Sequence, residues 1–193
     1  MPGRYQPFEN SVPPNRFGLK TDTELQLVET PLAMRRLLEL QHRQLRGNFD
    51  TPHLQAIHRH LFQDIYPWAG ELRTVRIAKP GALFPLPQYL KQGLDALFAE
   101  LAKEDRLKNL SIPDWAHRAA YYLGEINAIH PFREGNGRTQ REFIRQLGRS
   151  AGHHLSWEGF DQEGMIRASQ ASFAQRDYSA LQQILLHALR PGE

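Results

Sequence analysis

Beyond residue 20 the apolar side chains of this 193-residue chain recur almost throughout at the spacing of an α-helix, and the pattern breaks only once. The break is "WAGELRTVRIAKPGALFPLPQYL", where Val75 and Ile77 alternate with Thr74, Arg76 and Ala78. That period of two belongs to a strand. Lys79-Pro80-Gly81 is a turn signal, and "ALFPL" supplies a second extended run. Pro85 and Pro87 cannot donate to a ladder, which makes this arm an edge that stands clear of the core. The pattern therefore predicts an all-α domain carrying one β-hairpin over residues 71–87.

The helices announce their own ends. "TPLAMRRLLELQHRQL" opens with Thr30 as N-cap and Pro31 at the first helical position, and "TPHLQAIHRHLFQDIY" repeats the device with Thr51 and Pro52. "QYLKQGLDALFAELAKE" follows the hairpin. Ser111, with Pro113 and Asp114 behind it, then opens a long helix whose stripe of Trp115, Ala119, Tyr122, Leu123 and Ile126 reads as a buried face. Pro131 stops that helix directly after His130. Two more helical segments fall near 160–172 and 179–189. Residues 1–20 hold four prolines, two glycines and no period, as a loop laid over the domain or a tail would. Residues 21–193 form one domain on this reading.

Composition narrows the function classes. With no cysteine, disulfides and thiolate chemistry are excluded. No apolar run approaches the roughly 18–20 residues that cross a bilayer. "MPGRYQPFEN" lacks the apolar core of a secretory signal, so a cytoplasmic location is expected. The net charge is only +3, and no basic block or basic stripe interleaved with aromatics occurs. Direct nucleic-acid binding is not expected.

The chemistry gathers in "HPFREGNGRTQREF", from His130 to Phe143. A helix starting near Gly137 or Arg138 turns its unsatisfied N–H groups and positive dipole end toward the preceding loop. Gly135 and Gly137 let the backbone approach an anion, and the Asn136 amide is a further donor. Arg138 and Arg141, three apart, share one face and can grip two phosphates. Glu134 repels phosphate unless a hard cation lies between, and Mg2+ favours one carboxylate together with phosphate oxygens. His130 can accept a proton near neutral pH. Phe132 points into the core as the anchor of the loop. Each feature alone is ordinary; the combination describes a metal–nucleotide held for attack on phosphorus.

The stretch "HPFREGNGRTQR" resembles the signature of the Fic family, His-x-Phe-x-Asp/Glu-Gly-Asn-Gly-Arg-x-x-Arg, at every defining position. "LQAIHRHLFQDIYPWAGELR" is similar to the family's N-terminal portion and "NRFGLKTDTELQLVE" to its opening segment. The resemblance spans roughly residues 15–190. It implies that His130 deprotonates a hydroxyl on a target protein, and that the oxygen attacks the α-phosphate of ATP. Glu134 then holds Mg2+ between the α- and β-phosphates, while Gly135, Asn136, Gly137 and Arg138 bind the phosphates and Arg141 reaches the γ-phosphate. The hairpin becomes a flap that docks the target's extended segment, with Leu83 and Phe84 as candidate clamps. Ile166 and Ser169 stand where relatives contact adenine; many of them carry Asn in place of Ser169.

The family's inhibitory motif, Ser/Thr-x-x-x-Glu-Gly/Asn, is not found in the chain: Glu158-Gly159 and Glu163-Gly164 lack the Ser or Thr four residues earlier. The resemblance is thus to the short toxin-like class, in which a separate small antitoxin supplies the inhibitory helix and type II topoisomerase ATPase subunits are targets. Two rivals remain beside AMP transfer: a Doc-like kinase, which would carry Lys at Gly137, and a non-catalytic nucleotide-binding module. A zinc site on His53, His58 and His60 fits poorly, because no acid or cysteine accompanies them at ligand spacing.

Overall fold

The computed structural model describes residues 12–79, 82–159 and 161–190. Among them are seven α-helices: α1 (Asp22–His42), α2 (Thr51–Phe62), α3 (Pro87–Lys103), α4 (Ile112–Ile129), α5 (Asn136–Ser150), α6 (Gln162–Gln175) and α7 (Ser179–Ala188). The expected hairpin is present but short, as β1 (Ala78–Lys79) paired antiparallel with β2 (Ala82–Leu83), Ala78 opposite Leu83, while Val75 and Ile77, whose alternation pointed to it, lie outside both strands. Its turn residues Pro80 and Gly81 lie outside the described residues. No helix of the described residues is long and apolar enough to cross a membrane.

α4 is the central helix, and α3, α5, α6 and α7 all pack against it. Ser111 caps it as expected, accepting from Asp114 N at 3.3 Å while its hydroxyl donates to Asp114 Oδ2 at 2.5 Å. Trp115, Ala119, Tyr122, Leu123 and Ile126 are all buried, and Ala116 and Ala120 let the neighbouring helices come close. The hydrophobic core runs from this helix through Leu54, Ile57 and Leu61 of α2 to Phe143, Ile144 and Leu147 of α5.

Three expectations need correction. α1 begins at Asp22, well before Thr30, because Thr21 and Glu24 form a reciprocal cap: Glu24 N donates to Thr21 Oγ1 at 3.3 Å, and Thr21 Oγ1 donates to Glu24 Oε2 at 2.8 Å. Pro31 therefore sits inside the helix, which forfeits one backbone hydrogen bond there and holds through the burial of Leu25, Ala33 and Leu40. α2 is capped by Asp50 rather than Thr51, Asp50 Oδ1 accepting from His53 N at 2.9 Å. A second short ladder, β3 (His154–Leu155) with β4 (Leu189–Arg190), adds to the one hairpin expected and takes Leu189 out of the last helix. Two residues per strand are too few to leave a period in the sequence.

Residues 12–20 form no helix or strand and lie over the end of α2. Arg16 N donates to Ile65 O at 2.8 Å, and Trp68 Nε1 donates to Pro14 O at 2.8 Å.

Candidate active site

The bend between α4 and α5 is built from mutual constraints. His130 ends α4 in the left-handed region, φ 49° and ψ 62°, with its N–H on Ile126 O at 3.0 Å. A non-glycine residue there costs roughly 1 kcal/mol, so the surroundings must hold it. Its imidazole is buried, with Nδ1 3.4 Å from Asn127 O. A proton on Nδ1 donated to that carbonyl leaves Nε2 as the basic nitrogen.

Asn136 braces the loop. Its Oδ1 accepts from Phe132 N at 2.9 Å, and its Nδ2 donates to Phe132 O at 2.7 Å. The expectation that this amide faces an anion is therefore corrected: the side chain is turned inward, and what Asn136 can offer an anion is its backbone N–H. Phe132 is 1% exposed and stacks on His58 at 3.9 Å. His58 in turn accepts from Gly70 N at Nδ1 (2.8 Å), which places its proton on Nε2, the donor to Glu134 O at 3.0 Å. Burial pushes its pKa down to about 4, so the ring is neutral. The three histidines weighed against zinc thus serve separate partners, His53 facing Gln146 at 3.2 Å and His60 facing Glu39 at 3.1 Å.

Gly135 is required twice over. Its φ is +77°, and a Cβ built on it would strike the Phe62 ring. Thr139 Oγ1 donates to Gly135 O at 2.9 Å and fixes the start of α5, whose first N–H groups have no partner within the helix. α5 begins at Asn136, one residue ahead of expectation.

Two cavities, of about 600 and 480 Å³, meet at this bend and share Glu134, Gly137, Arg141, Met165 and Ile166. Together they form one cleft with two lobes. His130, Phe84 and Ser169 line the smaller lobe; Glu29, Tyr66 and Arg138 line the larger. The structure thus brings together His130, Glu134, Gly137, Arg141, Ile166 and Ser169. Arg141 is half-buried, and desolvation, with Arg138 nearby, lowers its pKa to about 10. It remains a cation at neutral pH. Of the flap candidates, Leu83 is 63% exposed, whereas Phe84 is buried and lies flat on the His130 imidazole, centroids 4.1 Å apart and planes 19° apart.

Arg138 does more than face phosphate. It pairs with the Glu29 carboxylate, whose other oxygen accepts from the Tyr66 hydroxyl, and it lies over the Phe62 ring at 4.8 Å. The donor set suits a magnesium nucleotide: the Glu134 carboxylate stands where the two cavities meet, beside Arg141 and the start of α5, while Glu29 and Asp22 edge only the larger lobe.

Comparison with known proteins settles the lineage. The model of the Fic/DOC family matches residues 48–147, which include the whole bend and α2. The chain belongs to the Fic/DOC family. It is 41% identical to the protein adenylyltransferase VbhT of Bartonella schoenbuchensis over 88% of this chain but only 35% of that protein. To the probable protein adenylyltransferase y4lH of Sinorhizobium fredii it is 43% identical, over 66% of this chain and 67% of the relative. The chain thus spans about a third of one relative and two thirds of the other. Among solved structures, the N-terminal Fic domain of a Bartonella quintana Bep effector, bound to ADP, superposes with a TM-score of 0.86 at 25% identity, covering 96% of this chain and 94% of that one. BepC of Bartonella tribocorum shares the fold, with a TM-score of 0.88 at 24% identity over 96% of both chains.

Three residues of the site are not singled out in the sequence, Glu29, Tyr66 and Arg73, whose Nε donates to His130 O at 2.8 Å, and His58 is considered there only as a zinc ligand. Three of these four carried a signal. Glu29 falls on the buried stripe of α1 with Leu25 and Ala33, and His58 on that of α2 with Leu54 and Leu61. Arg73 is in phase with the apolar Val75 and Ile77. A polar residue in apolar phase marks a buried partner.

Proposed function

We propose that this Fic-family chain is a protein adenylyltransferase that moves AMP from ATP to a hydroxyl side chain of a target protein. The observation that carries this reading is the smaller lobe, where His130, Glu134, Gly137 and Arg141 line one cavity beside the N-terminus of α5. The target oxygen loses its proton to His130 Nε2 and forms a bond to the α-phosphorus. The bond from that phosphorus to the bridging oxygen of the β-phosphate breaks, and pyrophosphate leaves. The N-terminal N–H groups of α5 face charge developing on the α-phosphate, and Arg141 and Arg138 face the departing phosphates. Glu134 would hold Mg2+, which when bound draws charge from the phosphate oxygens. Ile166 and Ser169 edge the lobe where the base would lie, and the exposed Leu83 of the flap meets the target strand.

Because the chain lacks the family's inhibitory motif, a separate small protein supplying an acidic helix is the partner this reading calls for. Target identity is part of the proposal; type II topoisomerase ATPase subunits are the first to test.

The deciding experiment is incubation with cell lysate and ATP labelled at the α- or the γ-phosphate. Protein label from the α-position alone supports AMP transfer, and label from the γ-position alone makes the chain a kinase. His130→Ala should bind nucleotide normally and transfer about 1,000-fold more slowly. Wild-type rates in that variant reject the base assignment.

A further inference from the structure

Arg73 lies at the foot of the flap, 4% exposed. The partners of its guanidinium are backbone carbonyls from two parts of the molecule. Nε donates to His130 O at 2.8 Å and Nη2 reaches Ile129 O at 3.4 Å, both at the end of α4. Nη1 donates to Val75 O at 2.9 Å and Nη2 to Pro85 O at 2.7 Å, one carbonyl on each arm of the flap. The residue's own N–H donates to Pro131 O at 2.9 Å.

The first pair has a clear physical basis. The final carbonyls of a helix lack intrahelical donors and carry the negative end of its dipole, and Pro131 offers no N–H of its own. A cation placed there satisfies them and holds His130 in its left-handed backbone. A helix cap, however, explains nothing about Val75 and Pro85. Those carbonyls belong to the flap, and Pro85 follows Phe84, whose ring lies on the His130 imidazole. The contacts therefore close a circuit, from the His130 backbone through Arg73 and Pro85 to the Phe84 ring and back to the His130 ring.

We propose that Arg73 is a positioning residue that couples the flap to the base, so that His130 keeps its orientation only while both arms of the flap are seated on this guanidinium. A target segment docked along the flap thereby acts on the alignment of the imidazole. The inference rests on the reading of His130 as the base.

The test compares the full chain with Arg73→Lys by amide hydrogen exchange, binding of α,β-methylene-ATP with Mg2+, whose α–β bridge cannot be cleaved, and AMP transfer into lysate protein. Lysine keeps the charge but cannot span four carbonyls. Exchange at residues 74–77 and 83–84 should quicken by about tenfold or more. Affinity for α,β-methylene-ATP should stay within about twofold, because no phosphate contact changes, while transfer falls by about 100-fold. Unchanged flap exchange overturns the coupling, as does full transfer activity in the variant. If Arg73→Lys does not fold, the wild type decides: the Arg73 Nε–H resonance should exchange with water at the rate of the flap amides. Fast exchange of that proton beneath a protected flap overturns the proposal. A wild-type chain that transfers no AMP rejects the base reading, while the exchange measurements still decide the link.

Discussion

The Glu29 carboxylate, on α1, accepts from the Arg138 guanidinium more than a hundred residues away, and its second oxygen accepts from the Tyr66 hydroxyl. Burial, then Glu29 itself, raises the Tyr66 pKa, so the hydroxyl keeps its proton and donates. A fixed negative charge thus lines the larger lobe of a cleft built for phosphate. Glu29→Gln keeps an acceptor for Arg138 and removes that charge. Like charges a few ångströms apart near a protein surface repel by a few kcal/mol. The variant should bind ATP about tenfold more tightly at low ionic strength, with the gain shrinking in salt. Titration calorimetry at two salt concentrations checks both expectations.

Gly135 and Gly152 both have positive φ, +77° and +84°, but only at Gly135 does an added Cβ meet a side chain, the Phe62 ring. At Gly152 nothing lies within 4 Å. Gly152→Ala should cost about 1 kcal/mol of stability, from backbone conformation alone. Gly135→Ala adds overpacking against the base of the loop, for about 2–4 kcal/mol in all. Urea unfolding of the two variants separates the terms, and equal losses would show that Phe62 yields freely.

Much of this molecule is legible in its sequence. The Ser111 cap, the buried stripe of α4 and the stop at Pro131 are local signals, and local signals set helices. The twelve residues from His130 to Arg141 describe a phosphate site because their spacing alone places them around one helix start. What stayed hidden is long-range. Glu29 meets Arg138, Arg73 meets His130 and His58 meets Glu134 only once α1, α2 and the flap have packed on the bend. Asn136 shows the same limit at short range. Its amide was as able to face an anion as to brace Phe132, and only the bend's geometry decides.

Met165 and Ile166 are adjacent on α6 and line both lobes, yet Met165 is 7% exposed and Ile166 50%. Ile166→Ala removes apolar wall without opening the core, so stability should hold within about 0.5 kcal/mol. Nucleotide affinity should fall by about three- to tenfold, from roughly 1 kcal/mol of lost apolar contact. Met165→Ala should do the reverse, lowering the melting temperature first. Paired thermal melts and nucleotide titrations on the two variants test this division, and an unchanged affinity in Ile166→Ala would move the base-binding wall elsewhere.

His58 gives the fold an acid limit of its own. Burial holds its pKa near 4, below the ordinary 6.5, so the unfolded chain binds a proton in this interval that the folded chain does not. Stability is then fully present above about pH 6.5 and declines as pH falls toward 4, by up to about 3 kcal/mol, with no further loss from this group below that. His53, whose pKa desolvation also lowers, acts in the same direction. His58→Gln keeps a donor within the loop but cannot titrate. Its stability should start lower than the wild type's at pH 7.5, and the gap should narrow steadily toward pH 4.5. Urea unfolding across that range reads the gap directly, and a gap constant with pH would mean that the imidazole is protonated in the folded chain.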